Sequence, residues 1–401
     1  MEKERENETA TLSSKTILLM AIVTGVIVAN LNFIQPIENL IATDFGLSKS
    51  AVGALAMVTQ LGYAFGLLLI VPLGDIFDRY HLIQFMMGLS IVSLLLAFWA
   101  PNAGVFAVAT ALVGITSVAP QIIIPYAGYL APSLQRGKVL GIVLSGLLTG
   151  ILLSRSFSGL LGSIMPWQDI YLIAAGIDLV FLLIVHRYLP HDARGHQDLR
   201  YWPVIRTLPR LFVRQRALRG AAINGFCMFG MSNVLWSTLA FYLAATYHLG
   251  SSVAGLLGLL GVAGVLAAPM IGTMVDQRSP RLTVGLSMVL SGAGFVIFWL
   301  IGQWMLGLIV GIVLLDLGTQ FSQVSNQAIV QSLNRKESSR NNSVFMFSYF
   351  LGGSIGTLSA TWAWSQAGWT GVCGVAVVFL VIAVLGHLVI GEPATLHTEE
   401  S

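Results

Sequence analysis

Asp316, Gln320, Gln323 and Gln327 recur along the stretch Trp304–Val330, the least apolar of the long apolar runs. At about 100° per residue they fall within roughly 60° of arc on one helical face. One acid and three amides facing lipid would be costly. Such a stripe therefore either lines a polar cavity or makes hydrogen bonds between helices. In a cavity the amides would bind a solute and Asp316 would exchange a proton beside it. A second polar set, Asn30, Asn32, Gln35 and Glu38, closes the first apolar run, with Glu38 near its outer end as the reserve proton carrier. Asn30 and Asn32 cannot share a face, so one of them is expected to be structural. Arg155 is the only basic residue within an apolar run. Counting from Val139 puts it about 24 Å along the helix, in the outer half. An arginine there needs a partner, and Glu38 and Asp178 are the candidates. The choice for Arg155 and Asp178 lies between a static ion pair and a coupling or anion-binding role. Metal chemistry has no support: no His-Glu-x-x-His occurs, and Cys227 and Cys373 sit apart in apolar stretches, as buried small hydrophobes do. Nor does a strand or a Gly-Lys-Ser/Thr accompany the many glycines, which excludes a phosphate-cradling loop and a nucleotide-driven pump. No cofactor is expected.

The elements that must hold these residues are membrane-spanning helices. Of 401 residues, 56% are hydrophobic and only 10% charged, where soluble domains carry roughly a quarter charged residues. The apolar runs predict an all-α polytopic membrane protein with twelve spans: Thr16–Pro36, Val52–Leu73, Leu82–Ala100, Gly104–Tyr126, Val139–Ser163 and Ile170–Val185, then Ala221–Tyr242, Val253–Val275, Leu282–Ile301, Trp304–Val330, Ser343–Trp364 and Gly371–Ile390. The organisation follows: a tail over 1–15, a six-helix bundle over 16–186, a linker over 187–219, a second bundle over 220–390 and a tail over 391–401. The linker holds eight arginines and the prolines 190, 203 and 209, and suits a surface-lying amphipathic helix. With the N-terminus inside, 19 of 21 lysines and arginines face the cytoplasm, and Lys49 is the only one in an outer loop. Membrane orientation thus accounts for the arginine run, and no nucleic-acid partner is implied. Trp99, Trp167, Trp299, Trp304, Trp362, Trp364 and Trp369 fall near predicted outer ends, as an interfacial belt would. Trp236 alone lies deep in a span.

The two halves repeat each other. Phe45-Gly-Leu-Ser-Lys-Ser-Ala-Val-Gly53 enters span two, and Tyr247-His-Leu-Gly-Ser-Ser-Val-Ala-Gly255 enters span eight. At the opposite ends, Val71-Pro-Leu-Gly-Asp75 precedes Arg79, and Gly272-Thr-Met-Val-Asp276 precedes Arg281. Two six-span repeats of like topology are the plan of transporters that rock two pseudo-symmetric bundles about a midplane site. Here the chain resembles the major facilitator superfamily, whose signature between spans two and three is Gly-x-Leu-Ala-Asp-Arg-x-Gly-Arg-Arg. Leu73, Asp75 and Arg79 match it, and Gly272, Asp276 and Arg281 match its second copy. Asn32-Phe-Ile-Gln-Pro36, Thr59-Gln-Leu-Gly-Tyr63 and Leu314-Leu-Asp-Leu-Gly-Thr-Gln320 look closest to bacterial multidrug-type proton antiporters. Span five departs from that group's glycine–proline motif: Gly146 and Gly150 remain, Ile151 replaces the proline, and Ser154 and Arg155 replace the closing glycines.

The resemblance implies that spans one, four, seven and ten line the central path. Gln121 and Tyr126 of span four and Trp236 of span seven would then join Asn32, Gln35 and the span-ten amides around a substrate. It implies proton coupling, and that Asp75 holds the two bundles together on the cytoplasmic side. The leading expectation is a non-enzymatic secondary transporter of a bacterial cytoplasmic membrane, acting as a monomer in the lipid bilayer. Its partners would be protons and a small organic substrate exported by alternating access. Proton-coupled uptake by the same fold, and a receptor that transports nothing, remain open alternatives.

Overall fold

The structure, a computed structural model, describes residues 13–131, 136–190, 201–277, 280–333 and 338–390. Among them there are helices and turns and no strand. Ten helical stretches are long and apolar enough to cross a membrane. The stretch Ser338–Ile390 is two spans, parted at Gly368, whose φ of +57° is a left-handed conformation that glycine adopts without strain. Span eight is the other addition, broken into Ser251–Leu257, a 3-10 turn over Gly258–Gly261 and Val262–Gln277. Twelve spans result, as the apolar runs predict.

Local sequence explains where several helices start. The Ser48 hydroxyl accepts from the Ala51 amide, and Asn102 and Asp78 do the same for Val105 and Tyr80, capping spans two, four and three. Span one is longer than predicted. It runs as Ser14–Ala29 and Ile34–Asp44, joined by a tight turn whose amides bond three residues back. Pro36 falls in the first turn of the second piece, where a missing N–H costs nothing, so it restarts the helix instead of ending it. Glu38 is thereby placed inside span one. Span four breaks likewise between Ala103–Thr116 and Ala119–Leu130, with Pro120 in the opening turn. Span seven breaks between Arg216–Trp236 and Leu239–Tyr242 and ends in a π-helical turn over Leu243–Tyr247. Span ten, Met305–Ser332, is continuous.

The halves pack by the same rule. Span five, Arg136–Leu161, lies on span one, and span eleven lies on span seven. The close approach is made by glycines four apart. A β-carbon at Gly146 or Gly150 would meet the Ala21 or Gly25 carbonyl oxygen, and one at Gly352 or Gly356 would meet those of Phe226 and Gly230. Between the halves, span two (Lys49–Leu69) meets span eleven, and span five meets span eight. At the end away from the linker, Ser251 donates to the Gly159 carbonyl and Ser156 to that of Gly255, at 3.2 and 2.8 Å. The linker carries a helix, Tyr201–Arg214, with Leu208 and Leu211 buried. It bridges the halves: Tyr201 donates to the Leu69 carbonyl and Arg340 to Thr207. Large apolar side chains such as Phe85, Val289 and Leu306 stand exposed, an apolar surface that suits lipid. Trp99, Trp299, Trp304 and Trp362 are exposed as a belt requires, whereas Trp167 is buried among Phe45, Phe106 and Tyr171.

Candidate functional site

The broken helices deliver their polar residues to one place. Gln35 sits just past the break in span one, and Trp236 sits at the break in span seven. The Gln35 side chain accepts from Arg155 Nε at 3.0 Å and donates to Asn233 Oδ1 at 3.2 Å. Gln60 of span two donates to the same Asn233 oxygen at 2.6 Å and to Thr357 of span eleven at 3.5 Å. The Arg155 guanidinium lies over the Trp236 ring, 4.0 Å from its centroid, a cation–π contact in a largely desolvated setting. The indole N–H of Trp236 in turn donates to Asp316 Oδ1 at 3.4 Å. One connected polar network thus joins Arg155, Gln35 and Gln60 of the first half to Asn233, Trp236, Asp316 and Thr357 of the second. Gln35, Gln60, Asn233 and Trp236 are buried, and Arg155 and Asp316 are half-buried.

Bonds that hold the halves apart from lipid do not explain every atom here. Asp316 Oδ2 is shielded from solvent and has no hydrogen-bond partner among the described residues. Span eight packs closely here: a β-carbon at Gly261 would stand 3.3 Å from that oxygen and 3.0 Å from the Leu152 side chain, and one at Gly258 3.0 Å from the Arg155 β-carbon. Above the network, towards the end away from the linker, the serine and glycine contacts of spans five and eight close the path.

The structure separates other predicted residues from this cluster. Arg155 and Asp178 do not form the expected ion pair. Asp178 faces the opposite side of span one, where its Oδ2 accepts from Asn30 and from Ser90, each at 3.0 Å, binding spans one, three and six. Arg155 instead lies over the ring of Trp236, whose indole N–H donates to Asp316. Asn30 is therefore the structural one of the two asparagines, and Asn32 is half-buried with no side-chain hydrogen bond among the described residues. Tyr126 does not reach the cluster: its hydroxyl donates to the Pro190 carbonyl at 2.5 Å, at the linker end. Gln121 donates to the Tyr63 hydroxyl at 3.2 Å, and Tyr63 packs edge-on against Phe350 of the other half. Gln320, Gln323 and Gln327 continue down span ten from Asp316. Gln320 passes Gly264, Gln323 accepts from the Tyr349 hydroxyl at 3.5 Å, and Gln327 approaches the Met346 sulfur. Glu38 is fully buried, both carboxylate oxygens lacking partners among the described residues, one turn beyond Gln35 and outside the network.

The signature residues lie at the linker end. Arg79 donates to the Gly74 carbonyl at 2.9 Å and lies over the Tyr129 ring, and Arg281 lines a cleft with His387, Asn224 and Asn326. The side chains of Asp75 and Asp276 fall outside the described residues. Sequence reasoning misses Asn233, Gln60 and Thr357 as site residues. Asn233 lies three before Trp236, hence on the same helical face, which is the available signal.

With this geometry in hand, the comparisons are decisive. The pattern described as Major Facilitator Superfamily matches residues 17–233 and again 221–400. The chain belongs to the major facilitator superfamily. Among curated relatives, the uncharacterized transporter YgaY of Escherichia coli O157:H7 is 35% identical, over 90% of this chain and 92% of its own length. The inner membrane transport protein YnfM of Escherichia coli K12 is 26% identical, over 88% and 84% respectively. Two solved structures share the fold at 13% identity. One is an inward-facing, unoccupied bacterial homologue of the human lysosomal transporter Spinster, with TM-score 0.77 over 97% of this chain and 99% of the other. The second is a mutant form of the nucleoside transporter NupG, with TM-score 0.76 over 94% and 98%. This superfamily member is a multi-pass membrane transporter, not an enzyme.

Proposed function

We propose that this transporter exports a small organic compound in exchange for protons, by alternating access about the Arg155–Asp316 network. The observation that carries the proposal is the network itself: seven residues from both halves, buried or half-buried, that meet where spans one and seven break. Discontinuous spans meeting at the interface of two repeats are where secondary transporters hold substrate. Asn32, Gln121, Gln320, Gln323 and Gln327 line the path towards the linker end. Asp316 is the proton carrier: its Oδ2 is shielded without a hydrogen-bond partner among the described residues, and a substrate bound at the network would compete with the proton for that oxygen. The positive-inside distribution puts the linker and both termini in the cytoplasm, and the name of the relative YnfM supports an inner membrane. On that orientation the closed end faces outward. The protein works as a monomer.

Purified protein in proteoliposomes, loaded with a substrate panel and given an imposed pH gradient, tests this. The expected result is substrate movement coupled to proton movement in the opposite sense. Asp316→Asn should abolish pH-driven accumulation yet retain substrate exchange without a gradient. Gradient-driven transport by that variant would remove Asp316 from the coupling step, and co-directional proton movement would make the protein a symporter.

A further inference from the structure

The charge pattern within the network specifies what kind of compound fits. Arg155 and Asp316 are groups of opposite charge type that both engage Trp236, one over its ring and the other at its indole N–H. They are nonetheless not in contact: no Arg155 nitrogen lies within 4.0 Å of an Asp316 carboxylate oxygen. Each is held back by a neighbour. Gln35 takes the Nε–H of Arg155, and the Trp236 ring supports the flat face of the guanidinium. The same Trp236 fixes Asp316 through Oδ1. What is left over is the useful edge of each group. The terminal guanidinium nitrogens of Arg155 make no hydrogen bond among the described residues, and Asp316 Oδ2 is shielded from solvent without a partner. Gly261 of span eight sets no side chain of its own against Asp316 Oδ2, and Gly258 sets none against the aliphatic stem of Arg155.

A static ion pair would close this gap, because separated opposite charges in a low-dielectric site attract strongly. Keeping them apart, each with open valence, makes a receptor for a ligand with complementary charges. The guanidinium fork matches an oxyanion such as a carboxylate. Asp316 Oδ2 accepts from a cationic amine. We infer that the transported compound is a small zwitterion, an aminocarboxylate whose carboxylate seats on Arg155 and whose ammonium group seats on Asp316. The inference rests on the transport role proposed above and adds the substrate class. It also agrees with exchange: ammonium and proton compete for one carboxylate, while the carboxylate end keeps Arg155 neutralised.

The test uses the full chain, purified and reconstituted. The probes are the protein amino acids together with β-alanine and 4-aminobutyrate, screened by thermal stabilisation and by counterflow. The best of them is then compared with its decarboxylated amine and its deaminated acid. The expected result is binding and counterflow of the zwitterion, with at least about tenfold weaker binding of either singly charged analogue, the loss of one charge-assisted contact. Arg155→Gln should erase the advantage over the amine, and Asp316→Asn the advantage over the acid, each at unchanged folded yield. If no aminocarboxylate binds, or if either singly charged analogue binds equally well, the inference is overturned. Proton-coupled transport of some other compound would then leave the general role standing, whereas absence of any transport from a broad panel would remove that role as well.

Discussion

The polar side chains buried in this protein divide into those with completed hydrogen bonds and those without. Asp178 belongs mainly to the first class: Asn30 and Ser90 both donate to its Oδ2, tying span one to spans three and six next to the break after Ala29. Removing the carboxylate takes the acceptor from two buried donors and leaves only the 3.5 Å Asn30–Ser90 bond between them. Interhelical bonds in membranes are individually modest, so Asp178→Ala should cost about 1–2 kcal/mol. The thermal midpoint in detergent is expected to fall while substrate preference is unchanged, because Asp178 does not touch the Arg155–Asp316 group. A variant with wild-type stability would show that this bond does not hold the break in place. Sequence singles out Asp316, Gln35, Trp236 and Arg155, which the structure joins in one network, but misassigns the partner of Arg155. The error has a physical origin. Helical periodicity says which residues share a face, but not which neighbouring span that face meets, and Asn30 and Gln35 look towards opposite sides of span one.

At the scale of the helix, glycine sets how the spans pack. Gly146 and Gly150 sit so close to span one that an added β-carbon would collide with a backbone oxygen in either case. Backbone cannot swing aside as a side-chain tip does. Gly150→Ala should therefore force spans one and five apart, at the roughly 1–3 kcal/mol typical of overpacking, and lower both folded yield and melting temperature. Gly141→Ala in the same span is the control, since its β-carbon would meet nothing within 4 Å. Equal behaviour of the two variants would refute the packing argument. The span count, the linker helix and the repeated halves are legible in the apolar runs and in matched segments such as Val71–Asp75. The break in span four has a signal in Pro120, whereas the break in span seven is not legible, because residues 235–242 include neither proline nor glycine. The break in span one is half legible: Pro36 marks it, but reads as an end instead of a restart.

For the whole molecule, the question is what keeps the end away from the linker shut. The first half contributes Lys49, the one lysine that the orientation rule leaves on the outer side. Its ammonium lies 5.4 Å from the Phe241 ring centroid and 5.1 Å from that of Trp364, both in the second half. One turn further along span two, Gly53 lets Thr361 of span eleven approach to where a β-carbon would stand. Lys49 is thus a latch across the closed end, and the serine and glycine contacts of spans five and eight close the opposite edge. Alternating access requires all of them to part together, so weakening one shifts the balance of states. A cation–π contact at an exposed position is worth about 0.5–1 kcal/mol, which corresponds to roughly a two- to fivefold rise in the opened form. Lys49→Met should raise it by that factor, and Lys49→Arg should restore the closed state. The readout is a cysteine at Ser251, whose hydroxyl bonds Gly159 only when the halves meet. Cys227 and Cys373 are buried and leave a low background. In Ser251→Cys, a membrane-impermeant thiol reagent applied from the side opposite the linker should label slowly, and about two- to fivefold faster once Lys49→Met is added. Identical labelling in both backgrounds would show that Lys49 decorates the closed end without holding it.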